Sequence, residues 1–580
     1  MSGTLTSTTT VTGGQLVVDT LRALGVDRVF GVPGGQTLAI MDAIYGQTDV
    51  AFTATRHEGA AACAADAVGR LSHRLGVCLA TTGPGATNLL TGVGGAMRDS
   101  SPVLVLTCNN RLNEIARDDA QNADHISLFR PLTKWTTLVA DPLMIPRVLQ
   151  EAAIRATAGC PGPVHIDFAR DALEAKVPLA AAQAVGYGAA ANPRAGRVPV
   201  SRPGADAELV AEAAALILAA ERPVIWLGNG VQLSGAGEAV TRLAESLDLP
   251  IVATFNALGA VPTDHPNAFG PLSRMGTTLA REAVQGGDLL IAIGNSMNAV
   301  STSRWQAPLP RQIIQIDVEA ANIGLNYPTR TLGLAGDARV VVGQLSAALE
   351  ASPDRAVQAT SRAARLADLA TQRTAWWAAV DDVDMAAAPM SPLAVMRALN
   401  DETPDDACMV VDAGNPGIWT HLWKVRQPNL YLKPVGFGNM GFALPAGIAA
   451  QLLDRSRPVI ALIGDGSLGM TMGDLETVVR ERLPICIVLM NDLAYGNIRQ
   501  EELHYYGDRA IGVDFVDVDY AAIARGFGIA GHRADTGQAL VAAMRTVLAS
   551  GAPGLIDTRI DGDVSVWTHP LLVKPVTAGS

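Results

Sequence analysis

The sequence predicts three α/β domains, each a doubly wound parallel sheet, and three observations carry that expectation. From about residue 14, helical stretches alternate with short β-branched runs (GQLVVDTLRALGV, RVFGVP, LAIMDAIYG, GVCLATTGPG, NLLTGVGGAMRD, SPVLVLTC), the rhythm of strands joined by crossover helices. The rhythm restarts twice after Ala-, Gly- and Pro-rich or polar stretches. At 580 residues the chain is also too long for one hydrophobic core.

In order, the first unit closes on a strand at 163–168. LAAAQAVGYGAAANPRAGRVPVSRPG then reads as a linker, with the boundary near 176–203. RPVIWLGNG opens a second unit of Rossmann-like spacing, which continues through DLPIVATF, DLLIAIGNS and RQIIQIDVE to a helix at 338–350. A polar helical connector (355–382) precedes a third unit built on ACMVVDAG, RPVIALIGDG, LPICIVLMND and APGLIDTRI. The domains are therefore placed at 1–180, 203–350 and 386–580. The first and third share an order of elements, each delivering a Gly-rich turn at a strand end, where open parallel sheets bind ligands.

Composition narrows the partners. Apolar residues make up 49% and charged residues 17%, and 44 basic against 56 acidic residues give a net charge of −12 without a Lys/Arg-rich run. That argues against nucleic acid or an anionic membrane and for a small-molecule substrate. MSGTLTSTTTVTGG has neither a basic start nor an apolar core, and no stretch offers eighteen uncharged apolar residues, so a cytoplasmic protein is expected. Cys63, Cys78, Cys108, Cys160, Cys408 and Cys486 form no Cys-x-x-Cys pair and read as reduced, mostly buried thiols.

The strongest chemical signal is GDGSLGM at Gly464–Met470 followed by Met490-Asn491-Asp492. By itself GDG is an ordinary tight turn. Here Asp465 and Asp492 lie 27 positions apart at the ends of neighbouring strands, so both can offer oxygens to one hard cation while Gly466 and Ser467 present backbone N–H groups to a phosphate. Such a site holds a metal diphosphate.

At this point the sequence resembles the thiamine-diphosphate enzymes, whose signature is GDG followed, after a spacer of this length, by Asn-Asn; Asp492 stands in place of the second Asn. The resemblance is closest to the acetohydroxyacid synthase (acetolactate synthase) branch. It rests on FGVPGG (Phe30–Gly35), RHEGAAACAADAVGR (Arg56–Arg70), TTGPGATNLLTG (Thr81–Gly92), GPVHIDFARD (Gly162–Asp171) and GFGNMGFALPAGIAA (Gly436–Ala450), in that order. It implies a pyrimidine-binding first domain, a central Rossmann-like domain and a diphosphate-binding third domain. Thiamine diphosphate would lie between subunits of a homodimer or homotetramer, and Mg²⁺ would be held by Asp465, Asp492 and the backbone carbonyl of Ala494.

The same resemblance assigns roles. Glu58 would hydrogen-bond the aminopyrimidine ring nitrogen, favouring the imino tautomer that takes the proton from thiazolium C2. Met440 would wedge between the cofactor's two rings and the Gly438 carbonyl would receive the amino group. Val32, Pro33, Thr81, Pro84 and Asn88 fall on cofactor-facing positions in the first domain; Asn415, Pro416, Tyr495 and Gly496 fall on diphosphate-facing positions in the third. The family often has Gln-His at Asn415-Pro416. Gln121 matches a glutamine aimed at the reacting carbon, and Ala120 replaces the aromatic that usually precedes it.

Departures from the branch shape the expected reaction. GNSMNAVSTSRW (Gly294–Trp305) replaces a segment whose arginine helps hold flavin and the carboxylate of a second 2-oxo acid. LGNGVQLSGAGEAV keeps a Gly-rich turn, which leaves FAD or another nucleotide open. Three functions remain in view: a carboligase or decarboxylase of 2-oxo acids, a lyase of 2-hydroxy ketones or 2-hydroxyacyl-CoA thioesters, and a non-catalytic scaffold on the same fold.

Overall fold

A computed structural model describes residues 9–115, 117–188 and 194–574. The extreme termini and part of the stretch read as a linker (189–193) lie outside the described residues. The chain divides into two compact units, Met1–Ser201 with Ile448–Leu453 and Arg202–Gly447 with Asp454–Ser580.

Three six-stranded sheets, parallel throughout, organise these units. In the first, the spatial order is Ala51–Ala54, Arg28–Gly31, Gly76–Ala80, Val103–Asn109, Val164–Ala169 and Trp135–Val139. Val103–Asn109 is buried along its whole length, as a central parallel strand covered on both faces must be. Successive side chains serve opposite faces: Val77, Leu79, Leu104, Leu106 and Ile166 share one core with Leu16, Leu21, Ile40 and Leu149 from helices Gly13–Ala23, Leu38–Tyr45 and Ile145–Thr157. Helices Glu58–Ser72 and Pro84–Arg98 pack so closely that a Cβ on Gly92 would lie 2.6 Å from Ala62 Cβ.

The third sheet, in the second unit, repeats that plan. Its order is Tyr431–Leu432, Cys408–Val411, Val459–Gly464, Ile485–Asn491, Gly554–Arg559 and Ala530–Ala534. Numbered within each domain, both sheets read 2-1-3-4-6-5. The central sheet reads 3-2-1-4-5-6, the doubly wound nucleotide-fold order, and its direction reverses between Pro223–Leu227 and Leu289–Ile293.

Two stretches differ from the sequence reading. The expected linker begins as structure: Lys176–Pro178 pairs antiparallel with Thr10–Thr12, helix Leu179–Ala184 follows, and the Tyr187 hydroxyl donates to Asp19 at 2.5 Å. Ala-, Gly- and Pro-rich composition hid these local contacts. The connector forms helix Ala359–Asp381 and is docked rather than free. Arg362 reaches the carbonyls of Ile217 (2.5 Å) and Ala220 (2.7 Å), Arg365 that of Ala283 (2.7 Å), and Arg373 that of His265 (2.6 Å).

All six cysteines are free thiols, five of them buried, and burial pushes Cys78, Cys408 and Cys486 up to about 12. Among the described residues no helix is long and apolar enough to cross a membrane.

Candidate active site

In the third domain four strand ends build one constellation. Val459–Gly464 runs directly into helix Asp465–Thr471, so Asp465 heads a helix rather than a bare turn, and the N–H groups of its first turn are left for a ligand. The neighbouring strand Ile485–Asn491 is in register with it and delivers Asp492. Leu493 then takes a left-handed conformation (φ 57°), a costly choice for a bulky residue. It is held there by Asn491, whose Oδ1 accepts from Leu493 N–H at 3.2 Å and whose Nδ2 donates to Asp557 at 2.8 Å. The turn brings Ala494 N–H onto the carboxylates of Asp465 and Asp492.

Electrostatics make this pair able to receive a cation. Burial, and then the Asp492 carboxylate beside it, pushes Asp465 up to about 7; burial pushes Asp492 up to about 6. Asp465 Oδ1 accepts from Gly466 N–H at 2.9 Å, whereas Oδ2 is buried with no hydrogen-bond partner. Among the described residues no three His, Cys, Asp or Glu side chains gather as a metal cluster, so two carboxylates are what the side chains offer. Oxygen-only donors, one of them a buried carboxylate oxygen without a hydrogen-bond partner, fit Mg²⁺, which takes backbone, phosphate and water oxygens for the remainder.

The other predicted residues of this domain surround the pair. Asn415 and Pro416 open helix Asn415–Trp419 behind Gly414 (φ 82°); Asn415 Oδ1 accepts from Asn497 at 3.0 Å. A Cβ on Gly496 would fall 1.9 Å from Asp492 Oδ2 and 3.1 Å from Asn415 Nδ2, so only glycine fits there. Gly466 is covered by the Tyr495 ring and lies near Met440 Cε, its Cβ position 2.6 Å and 3.4 Å from them. Gly438 has φ 70° and open space around it.

Sequence reasoning missed Asp412, a fully buried carboxylate at the end of Cys408–Val411. It accepts from Gly441 N–H (3.0 Å), Ala443 N–H (2.9 Å) and Ala413 N–H (2.9 Å) and from the Ser467 hydroxyl. Burial still raises its pKa. Asp412 thus ties the loop carrying Gly438 and Met440 to the helix carrying Ser467. Its signal was faint: one Asp at a strand end, outside any motif.

In the first domain, Glu58 heads helix Glu58–Ser72 and is 8% exposed, with His57 capping the helix through Gly59 N–H. Its Oε2 accepts from Asn88 Nδ2 at 2.9 Å, which leaves Oε1 free of that contact and 3.4 Å from the Cβ position of Gly85. Asn88, expected to face the cofactor, gives one amide hydrogen to Glu58. Val32 and Pro33 follow strand Arg28–Gly31, and Thr81 follows Gly76–Ala80, three strand ends side by side with Ala51–Ala54. Pro84 starts helix Pro84–Arg98, where its missing N–H costs nothing.

Gln121 is exposed and left-handed (φ 60°). The loop before it is anchored by a directional chain. Thr81 O–H donates to Gln36 Oε1 (2.7 Å), Gln36 Nε2 to Asn110 Oδ1 (2.9 Å), and Asn110 Nδ2 to the Ala120 carbonyl (3.1 Å).

At the switch point of the central sheet, the Gly-rich turn packs on its neighbour. A Cβ on Gly228 would lie 2.1 Å from Gly294 O, and one on Gly230 2.7 Å from Gly294 Cα. Those glycines are accounted for by backbone contact and are no independent sign of FAD.

Family models match all three domains: the N-terminal TPP binding domain of thiamine pyrophosphate enzymes at residues 11–128, their central domain at 210–345, and their C-terminal TPP binding domain at 412–558. The chain belongs to the thiamine pyrophosphate enzyme family. Thiamine pyrophosphate and thiamine diphosphate are one compound, so the cofactor class inferred from Gly464–Asp492 stands. Within this family the chain is 34% identical over 566 residues to the probable acetolactate synthase large subunit of Methanocaldococcus jannaschii, covering 95% of this chain and 92% of that one. It is 32% identical over 572 residues to the acetolactate synthase isozyme 2 large subunit of Escherichia coli, covering 98% of each. It is also 32% identical to the acetolactate synthase of Mycobacterium bovis, over 96% of this chain and 89% of the other.

Proposed function

We propose that this thiamine pyrophosphate enzyme is Mg²⁺-dependent and acts on a 2-oxo acid, breaking its bond to CO₂ and delivering the remaining fragment to a proton or to the carbonyl carbon of an acceptor. The observation that carries this is the buried, unpartnered Oδ2 of Asp465 beside Asp492, together with a buried Glu58 held by Asn88. When bound, thiamine diphosphate supplies a carbon nucleophile that adds to the substrate carbonyl and accepts the electron pair released as CO₂ departs.

Each residue then has a task. Asp465 and Asp492 hold the metal, with Ala494 at the same edge, while the N–H groups of Gly466 and Ser467 and the side of Asn415 bind the diphosphate. Pro416, Tyr495 and Gly496 shape that cradle. Met440 and the Gly438 carbonyl would contact the cofactor, with Asp412 fixing their loop. Glu58, with Oε2 occupied by Asn88, would offer Oε1 to the pyrimidine ring nitrogen as proton donor or acceptor. Val32, Pro33, Thr81 and Pro84 line the strand ends of the first domain, and Gln121 would orient the substrate. The reaction is redox-neutral, and no step is assigned to FAD. By resemblance, the working form is a homodimer or homotetramer in the cytoplasm.

The acceptor side favours a neutral partner. The segment Gly294–Trp305 replaces the branch's arginine-bearing stretch, and the arginine it does carry, Arg304, is exposed. Arg274, whose N–H donates to the Val300 carbonyl of that segment at 2.9 Å, has its guanidinium 3.4 Å from Glu501 and stacked over Trp567. With that cation already neutralised, burying a second carboxylate would be costly. Ala120 adds room beside Gln121 for bulkier reactants. Competition tests this: with pyruvate plus excess neutral aldehyde, the mixed hydroxy ketone or free aldehyde should exceed acetolactate. Dominant acetolactate both from pyruvate alone and from pyruvate with the aldehyde would contradict it. Dialysis against a chelator should abolish turnover, and thiamine diphosphate plus Mg²⁺ should restore it.

A further inference from the structure

Beneath the turn at Thr81–Pro84 lies a buried polar network that the proposed chemistry does not use. His125 is 1% exposed at the head of helix His125–Phe129. Its Nε2 lies 3.0 Å from Gly83 N and its Nδ1 2.9 Å from Asp167 Oδ1. A backbone N–H can only donate, so Nε2 must be the acceptor and Nδ1 must carry the proton it gives to Asp167. Asp167, itself 1% exposed, also accepts from Thr107 O–H (2.6 Å) and Asn109 Nδ2 (2.7 Å).

The direction propagates. Thr107 has spent its one proton on Asp167, so at 2.7 Å its oxygen must accept from His165 Nε2–H; His165 Nδ1 then accepts from Thr136 O–H at 2.7 Å. Burial, with the Phe129 ring stacked 4.0 Å away, keeps His165 neutral, its pKa lowered to about 3. The Gly83 N–H thus fixes the tautomer of His125, and the Asp167 carboxylate, by taking the Thr107 proton, fixes that of His165.

What the network holds is the relation between two parts of the candidate site. Gly83 sits between Thr81 and Pro84 with φ 60°, and a Cβ there would lie 2.2 Å from the Gln121 carbonyl oxygen. The Thr82 hydroxyl is 3.3 Å from that same oxygen and 3.4 Å from His125 Nε2 and from Asn109 Oδ1. Three residues separate Gln121 from His125, so the imidazole pins both ends of the contact: the glycine turn by its N–H and the glutamine loop by the chain. Neither side chain belongs to a motif used for cofactor binding.

We propose that His125, held as the Nδ1–H tautomer by Asp167, is a positioning residue that locks the Gln121 loop against the Thr81–Pro84 turn and so sets the pose of Gln121 during turnover. This rests on Gln121 acting in the reaction as proposed above. Glutamine can imitate the tautomer, its carbonyl oxygen accepting from Gly83 and its amide donating to Asp167, whereas leucine can do neither.

The experiment is a double-mutant cycle in the full-length, cofactor-loaded enzyme, with thermal melting to confirm folding. Gln121→Ala and His125→Leu should each lower kcat by roughly 10²-fold, the scale of an ångström-sized misplacement, with cofactor affinity retained. The double variant should be no worse than the poorer single, and His125→Gln should restore kcat to within about 3-fold on the same scale. Multiplicative losses, or wild-type kcat in His125→Leu, would overturn the proposal. Nitrogen-15 NMR of the histidine rings supplies a readout independent of activity: a protonated Nδ1 and an accepting Nε2 on His125 support the lock, and the reverse tautomer refutes it. If Gln121→Ala is silent while the tautomer is as stated, the role given to Gln121 fails rather than the lock.

Discussion

The first and third domains have the same strand order and put the same strand ends to opposite use. At the end of the first strand stand Val32 and Pro33 in one and Asn415 and Pro416 in the other; after the second stand Glu58 and Met440; after the third, Thr81 and Pro84 against Asp465 and Ser467. The fourth strand leads to the loop of Gln121 in the first domain and to Asp492 in the third. One topology therefore presents four adjacent ends, and the side chains decide the chemistry. In the third domain they concentrate negative charge for a cation; in the first they bury one carboxylate with an amide partner and surround it with neutral groups. Under the proposed function, the third binds and the first moves a proton.

That division can be broken by mutation, and the largest effect belongs to the third domain. Asp465→Ala should lose both metal and cofactor, leaving no turnover even with excess Mg²⁺; calorimetric titration with thiamine diphosphate would check it, and retained affinity would undo the assignment. Glu58→Gln should do the reverse, keeping cofactor affinity while slowing exchange of the C2 proton by orders of magnitude, followed by NMR after acid quench. Similar losses of affinity in both variants would erase the contrast.

Asp412→Asn sharpens it further. An amide cannot accept at both ends of the Gly441/Ala443 pair, and an unmet buried N–H costs about 1–3 kcal/mol. Cofactor affinity should fall by roughly 5- to 150-fold, the same energy expressed as binding, while exchange in the bound complex stays near wild type.

The smallest effect concerns scaffold alone. Asp66 lies on the helix headed by Glu58, with Oδ1 buried and unpartnered, and burial raises its pKa from 3.8 to about 6. Between those values the folded chain keeps a proton that the unfolded chain has lost. Stability therefore falls as pH rises through that window and is level above it. Asp66→Asn should melt higher at pH 8, by a few kcal/mol at most, and match wild type near pH 4.

Much of the fold was legible because parallel strands buried on both faces leave near-continuous apolar runs, and RPVIALIGDG and LPICIVLMND could hardly be read otherwise. Asp465 and Asp492 were legible because fixed spacing on neighbouring strands forces them together. Asp412, Asn491 with Asp557, and His125 with Asp167 were not. Each pair joins residues far apart in sequence whose only shared property is burial against an unmet backbone donor or a strained turn. Asn88 was legible as a residue of this cluster but its contact with Glu58 was not, since no linear pattern shows which carboxylate an amide will meet.

Helix Ala359–Asp381 changes how this chain can be dissected. Its arginines close the carbonyl ends of segments that finish well over a hundred residues earlier in some cases, at Ile217 and Ala220, and at Ala283. A fragment cut at residue 350, where the apolar pattern ends, would expose those carbonyls and remove their guanidinium lids. One carried through residue 381 keeps them. The shorter piece should aggregate or succumb to protease, and the longer one should express as a discrete fold.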